Sequence, residues 1–195
     1  MTNDDIDSDP TFEDPPSRRP AMSDDEGLAP SSPSARGGDG FEGPVAFAAA
    51  LRTALAHVVE RSTRRVCWCD DDFAAWPLGE NEWISALTRW ARVGGRELVM
   101  VARDYAAIER LHPRFAGWRR DFSHVVRCLV PEEPNTVVLP ALWIDSDDQA
   151  LRVFDRDHWR GRAGFDRIDR QRAREEFDAI TQRASPGFAT STLGL

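Results

Sequence analysis

The chain has 195 residues and a formal net charge of −8, and all 25 of its basic side chains are arginines because the sequence contains no lysine. Residues 1–44 hold eleven acidic side chains against three arginines, whereas residues 45–195 hold 22 of each sign. An acidic leader followed by a neutral remainder disfavours binding to nucleic acid or to an anionic membrane. The missing lysine excludes a P-loop, Schiff-base chemistry and pyridoxal-phosphate chemistry.

The composition changes at residue 44. Residues 1–44 are rich in Asp, Pro, Ser and Gly and cannot bury enough apolar surface to offset chain entropy, so we predict a disordered leader. Residues 45–195 are sufficient for a single α/β domain. No segment has the ~18 apolar residues of a membrane span, and the acidic start does not resemble a secretory signal. The three cysteines, an odd number, disfavour a disulfide framework, and we expect a cytoplasmic protein without a cofactor.

Helical and extended patterns alternate in the first part of the domain. The apolar spacing predicts helices over 44–59, 80–93 and 105–121, the last of them interrupted at His112-Pro113. Strands are predicted over 65–69, 97–102 and 124–130. Because strand–helix–strand connections are right-handed crossovers, these three strands are expected to be parallel.

The second part of the domain begins with a predicted β-hairpin, residues 139–144 and 149–154, around a polar turn. A loop over 155–165 then leads to a final helix over 166–183, whose buried stripe would contain Ile168, Phe177 and Ile180. The predicted fold is therefore α/β, with a mixed, mostly parallel sheet flanked by helices, a late hairpin and a C-terminal helix.

The loops after the carboxyl ends of parallel strands are the preferred ligand sites of such sheets. In the first of these loops, Asp70 and Asp72 flank Asp71, and together Asp70 and Asp72 could hold a divalent cation for phosphoryl chemistry. The alternative is an acidic turn that caps the strand. The second loop begins at Arg103, the one basic residue placed to balance phosphate charge there.

Two further segments combine arginine with histidine and tryptophan. The first runs from His112 to Arg120 and the second from Arg156 to Arg162. Arginine offers a forked donor to an anion and histidine a proton, so both segments are candidates for an anion site. The alternatives are a short packed helix and an ordered surface loop. The candidate ligand-binding residues are Arg103, His112, Arg114, Trp118, Arg156, His158 and Arg160.

Soft ligands for zinc are also present. Cys67 and Cys69 point to one face of a strand, and His124 and Cys128 belong to another strand. However, residues four apart on a strand are separated by roughly 13 Å, which is too far for one ion. Small buried cysteines are the simpler interpretation.

Several short strings, in this order, resemble an uncharacterised, chiefly proteobacterial family of phospholipase-D-like domains. The likeness covers residues from about Arg64 to the end of the chain and rests on Trp76-Pro77-Leu78, Arg89-Trp90-Ala91-Arg92, Ala102-Arg103-Asp104-Tyr105, His112-Pro113-Arg114-Phe115, Trp118-Arg119 and Thr192-Leu193-Gly194-Leu195. The resemblance implies a fold that is half of a phospholipase-D-like unit, and active members pair two such halves, so it also suggests a homodimer.

The resemblance also implies that this chain lacks the superfamily's chemistry. Catalytic members carry H-x-K-x-x-x-x-D on the first arm of the late hairpin. If Asp145 takes the Asp position, Val138 and Pro140 occupy the His and Lys positions, and Arg152-Val153 stands where a Gly-Ser pair is expected. We therefore expect a non-catalytic domain that binds a protein partner or a small anionic ligand. The alternative is a metal-assisted phosphohydrolase that uses Asp70 and Asp72.

Overall fold

A computed structural model of the chain describes residues 39–147 and 149–188. Residues 1–38 of the predicted leader, and residues 192–195 of the family-like strings, lie outside the described residues. The described part begins before the predicted boundary at residue 44, because residues 39–41 already form a strand. None of the described helices combines the length and apolar character that a membrane crossing requires.

Five helices and eight strands make up the described chain. The helices are α1 (Pro44–Glu60), α2 (Asn81–Ala91), α3 (Ala106–Leu111), α4 (Pro113–Asp121) and α5 (Arg167–Gln182). The strands are β1 (Asp39–Phe41), β2 (Arg65–Cys69), β3 (Glu97–Val101), β4 (Val126–Pro131), β5 (Leu142–Asp145), β6 (Ala150–Asp155), β7 (Arg160–Ala163) and β8 (Ala184–Pro186). The predicted helix interruption at His112-Pro113 is confirmed, because α3 ends before Pro113 starts α4.

All eight strands form one mixed sheet in the order β1-β7-β6-β5-β2-β3-β4-β8. The α/β class with flanking helices is confirmed, but the prediction of a mostly parallel sheet is wrong. Only β2–β3 and β3–β4 pair in parallel, whereas the other five pairings are antiparallel. The strands β2, β3 and β4, which helices connect, form only these two parallel pairs. The later strands β5, β6 and β7 and the edge strands β1 and β8 add the five antiparallel pairs.

The segment 155–165 differs from its prediction as a loop. Arg160–Ala163 forms β7, which pairs with β6 on one side and β1 on the other. Its sequence, Arg-Gly-Arg-Ala, lacks the apolar side chains by which a strand is predicted. The segment is extended because it pairs with a strand on each side. Gly161 is required by close packing, because a Cβ there would lie 2.3 Å from the Phe41 ring.

The two faces of the sheet bury separate cores. Helices α1, α2 and α4 cover one face, where Trp68, Trp76, Trp83 and Trp143 pack together. Helix α5 covers the other face through Ala173 and Phe177, with Ile180 half-buried. Ile168, predicted in the same stripe, is 63% exposed, because it lies in the first turn of α5, before the stretch that packs on the sheet.

Asp145 closes the hairpin between β5 and β6. Its Oδ1 accepts hydrogen bonds from Asp147 N at 2.8 Å and Gln149 N at 3.1 Å, and the side chain is buried. Burial raises the pKa of this carboxyl above its usual value of 3.8, and the backbone hydrogen bonds offset the rise in part. The folded chain therefore holds the Asp145 proton more tightly than the unfolded chain does.

We predict that Asp145→Asn flattens the pH dependence of folding. Because the folded pKa is raised, the contribution of Asp145 to stability falls as pH rises through a window that begins at 3.8 and ends above the folded pKa. The variant keeps the Oδ1 acceptor but cannot ionise. The free energy of unfolding, measured with urea, should rise for the variant relative to the parent between about pH 4 and about pH 7. The rise is about 1.4 kcal/mol for each factor of ten by which the folded parent binds the Asp145 proton more tightly than the unfolded parent does.

Asp121→Asn, at the exposed end of α4, is the control for loss of one surface carboxylate. A difference between Asp145→Asn and the parent that stays constant across this range would contradict the assignment of Asp145 as a buried carboxyl with a raised pKa.

Candidate functional site

Asp70 follows β2 at its carboxyl end and is only 1% exposed. Its Oδ1 accepts hydrogen bonds from Asp72 N and Phe73 N, each at 3.3 Å, and from Arg156 Nη1 at 3.3 Å. Its Oδ2 accepts from the Trp76 indole at 3.0 Å. One carboxylate thus joins the turn after β2, the tryptophan core and the segment between β6 and β7.

The turn after β2 contains a backbone conformation that a side chain rarely adopts. Phe73 has a φ of 61°, in the left-handed region, which costs a non-glycine residue about 1–3 kcal/mol. The fully buried Phe73 ring packs against Trp76, and its backbone N–H is bonded to Asp70. Burial and this hydrogen bond together hold the strained residue in place.

Arg103 and Arg156 converge on the carboxylate next to Asp70. Arg103 Nη2 lies 2.9 Å from Asp71 Oδ1, and Arg156 Nη2 lies 3.7 Å from Asp71 Oδ2. Arg103 comes from the end of β3 and Arg156 from the end of β6, and each side chain is about one-third exposed, at 31% and 35%. We call Asp70, Asp71, Arg103 and Arg156 the arginine cluster.

The same two arginines hold the segment that precedes β5. Arg103 donates to the carbonyl oxygens of Pro134 and Val137, and Arg156 donates to Leu139 O at 3.1 Å. Each guanidinium has five N–H donors, so it can bind a carboxylate and backbone carbonyls at once. The cluster therefore carries two positive and two negative formal charges at the carboxyl ends of β2 and β3.

The other predicted ligand-binding residues make their contacts elsewhere. His112 is buried and its Nε2 donates to Phe73 O at 3.2 Å, while Arg114 donates to Gly79 O at 3.2 Å, so both fix the loop between β2 and α2. Trp118 is buried between Phe115 and Phe122, and its indole donates to the Thr88 hydroxyl at 3.1 Å. These contacts match the packed-helix alternative for residues 112–120.

His158 and Arg160 lie beside the first strand rather than beside Arg103. His158 Nδ1 is 3.0 Å from Asp155 Oδ2, and its backbone oxygen accepts from Gly43 N at 3.0 Å. Arg160 pairs with Glu42 at 2.9 Å. The backbone and side-chain hydrogen bonds from His158 lower the pKa of Asp155. Of the seven candidate residues, the structure therefore brings only Arg103 and Arg156 onto a shared partner.

Asp70 and Asp72 do not face a common point. Asp70 is turned into the core, whereas Asp72 Oδ1 accepts from Ala74 N at 2.9 Å as a turn cap. Within residues 39–147 and 149–188, no group of three Asp, Glu, His or Cys side chains is arranged to hold a metal ion. Cys67 and Cys69 lie in the core under α5, but Cys128 lies in the opposite core. Burial raises the pKa of Cys67 to about 11, which keeps it a neutral thiol.

Sequence reasoning missed Asp71 as the partner of both arginines. Side chains alternate in direction along a strand, so Asp70 and Asp72, which are two residues apart, were predicted to point the same way. The residue between them, Asp71, was not considered. The pairing also depends on β6 ending at the same edge of the sheet as β2, with β5 between them, which follows from the order β6-β5-β2 and the antiparallel pairing of β5 with both neighbours. That order is not visible in the local sequence.

Comparisons with known proteins add information on the fold only. No protein-family model and no curated protein sequence matches the chain. One solved structure with a similar fold is that of TrmBL2, described as an archaeal chromatin protein with a novel mode of DNA binding. It is 12% identical, with a TM-score of 0.53 over 82% of this chain, and the match spans 57% of that protein. At this identity the likeness concerns the arrangement of helices and strands.

Proposed function

We propose that this chain is a non-catalytic phospholipase-D-like half unit that binds a small anionic ligand through Arg103 and Arg156. The observation that supports this function is the convergence of two guanidinium groups from separate strands on one side-chain carboxylate, Asp71. The convergence lies at the carboxyl ends of β2 and β3, the usual position of ligands in such sheets. Asp71 occupies the place that the carboxylate or phosphate group of a ligand would take.

Exchange of Asp71 for an external anion is energetically accessible. Arg103, Arg156 and Asp71 are each about one-third exposed, at 31%, 35% and 38%, so solvent reaches all three groups. Ion pairs of this exposure contribute only about 0–1 kcal/mol. A phosphate or carboxylate can accept charge-assisted hydrogen bonds from the guanidinium groups of both arginines, and Asp71 is then released to water.

The contacts of the other polar groups support a binding role over a catalytic one. His112 is held by Phe73 O and His158 by Asp155, so neither histidine faces the arginine cluster as a free base. Val138 and Pro140, which the resemblance places at the catalytic His and Lys positions, bear no group that could attack or protonate a substrate. Asp145, at the third position, is committed to the hairpin turn.

The same resemblance suggests that two copies pair, as the halves of active members do. The neutral charge of residues 45–195 argues against nucleic acid as the ligand. A protein partner that presents a carboxylate to Arg103 and Arg156 would use the same chemistry, and the experiment below separates it from a free anion.

We predict that the full chain is stabilised by inorganic phosphate in a thermal-shift titration, with opposite effects of two variants. Arg156→Ala removes a charged donor worth about 1.5–3 kcal/mol and should weaken phosphate binding at least tenfold. Asp71→Asn removes the carboxylate that competes with phosphate and should strengthen phosphate binding up to about fivefold, since the exposed ion pairs of Asp71 contribute about 0–1 kcal/mol. Ligand at a hundredfold excess over its Kd adds about 2.7 kcal/mol of stability.

Arg127→Ala is the matched control. Arg127 pairs with Glu97 at 3.1 Å on the amino-terminal edge of the same sheet, so its loss should leave phosphate binding unchanged. Equal phosphate affinity in Arg156→Ala and the parent would overturn the assigned site. A parent chain that responds to neither phosphate nor acetate would overturn the small-ligand proposal in favour of a protein partner.

A further inference from the structure

A groove lies between the carboxyl-terminal end of α5 and the segment that follows β4, and it shares no lining residue with the arginine cluster. Its volume is about 690 Å³, within the roughly 300–1,000 Å³ of small-molecule sites. The apolar part of its lining includes Val137 and Ile180, which are half-buried and pack on the core under α5. Val138 and Ala179 add exposed apolar surface. The groove is therefore large enough for a small organic molecule and apolar enough to cover part of it.

Backbone hydrogen bonds hold the two walls of the groove in place. Glu132 N donates to Arg183 O at 2.9 Å, which joins the segment after β4 to the end of α5. Within that segment, Thr136 N and Val137 N both donate to Glu133 O, at 3.1 and 3.3 Å. Because these walls are already ordered, a ligand loses little of its binding energy to the ordering of the chain.

Carboxylates predominate among the charged side chains that line the groove. They are Glu132, Glu133 and Glu176, against one guanidinium, that of Arg183. Glu176 is neutralised by Arg152, which donates to both of its carboxylate oxygens, at 2.6 and 3.2 Å. The exposed carboxylates of Glu132 and Glu133 therefore remain against the exposed Arg183. This balance favours a ligand that carries one positive charge.

The end of α5 adds to the negative potential of the groove. The last carbonyl groups of a helix carry a partial negative charge, which attracts cations. Helix α5, all of whose residues the structure describes, has no basic side chain in its last turn. Ala179, Ile180 and Gln182 of that turn line the groove, and the one cation beside them is the C-cap residue Arg183. A cation in the groove is thus stabilised by the helix as well as by Glu132 and Glu133.

We propose that this groove binds a small organic cation, an ammonium group on an apolar body, with Glu132 and Glu133 as the carboxylates that select the charge. The ammonium group has three N–H donors for these oxygens. The apolar body covers Ile180 and Val138, whose side chain is otherwise 87% exposed. The site is separate from the anion site at Arg103 and takes a ligand of the opposite charge, so either proposal can fail without the other.

Benzylamine and benzyl alcohol are matched probes for this site, since they have the same ring and similar size but only benzylamine is a cation at neutral pH. We expect the full chain to bind benzylamine about 2- to 10-fold more tightly than benzyl alcohol in isothermal titration calorimetry, the effect of partly exposed charges and a helix end. In about 1 M NaCl, where the Debye length is about 3 Å, this preference should shrink. Equal affinity for the two probes at low salt would overturn the selection of a cation.

The double variant Glu132→Gln with Glu133→Gln tests the carboxylates without changing the size of the side chains. It should bind benzyl alcohol as the parent does but should lose the preference for benzylamine. The control is Glu60→Gln with Glu109→Gln, which removes two exposed carboxylates outside the groove and should keep the preference. A Glu132→Gln, Glu133→Gln chain that keeps the full preference would overturn the role of these residues.

Ala179→Trp tests the position of the site by placing a large side chain in the groove. Ala179 is exposed on α5, so the variant should fold, which circular dichroism establishes, and it should no longer bind either probe. Ala56→Trp, at an exposed position of α1 outside the groove, should bind both probes as the parent does. A parent chain that binds neither probe, or an Ala179→Trp variant that binds both as tightly as the parent, would overturn the site.

Discussion

The carboxylate of Asp70 is the interaction on which the carboxyl-terminal edge of the sheet depends. It is buried at the end of a central strand and accepts hydrogen bonds from the turn backbone, from Trp76 and from Arg156. Each donor belongs to a different part of the fold: the strained turn at Phe73, the tryptophan core and the end of β6. A buried charge is tolerated only when its oxygens are satisfied in this way, so these parts must assemble together.

Arginine performs this linking because the chain has no lysine and because the guanidinium geometry suits it. Arg103 and Arg156 each bind Asp71 and also donate to backbone carbonyls of residues 134–139. A lysine ammonium could not span a carboxylate and a carbonyl with the same fixed fork. The segment before β5 is therefore held by charged side chains as well as by the buried side chain of Leu139, whereas Val138 within it remains 87% exposed.

Local sequence patterns identified most elements, because apolar spacing within one helix or strand is a property of neighbouring residues. The helices α1, α2 and α5 and the hairpin around Asp145 are examples. The order of the strands could not be predicted in the same way: β7 has an Arg-Gly sequence, and its strand character depends on β1 and β6. For the same reason Arg103 and Arg156 were identified as candidates, but their common partner Asp71 was not.

The most direct test of this account is the free energy of unfolding of Asp70→Asn, measured by urea denaturation beside Asp72→Asn. Asparagine keeps the size of the side chain but replaces one acceptor oxygen with a donor that faces other donors. If Asp70 is the structural centre of this edge, its variant loses about 1.5–3 kcal/mol, and Asp72→Asn, which keeps the Oδ1 acceptor of a half-buried turn cap, loses less than about 1 kcal/mol. An Asp70→Asn chain as stable as the parent would contradict the account and would return Asp70 to the role of a catalytic or metal-binding carboxylate.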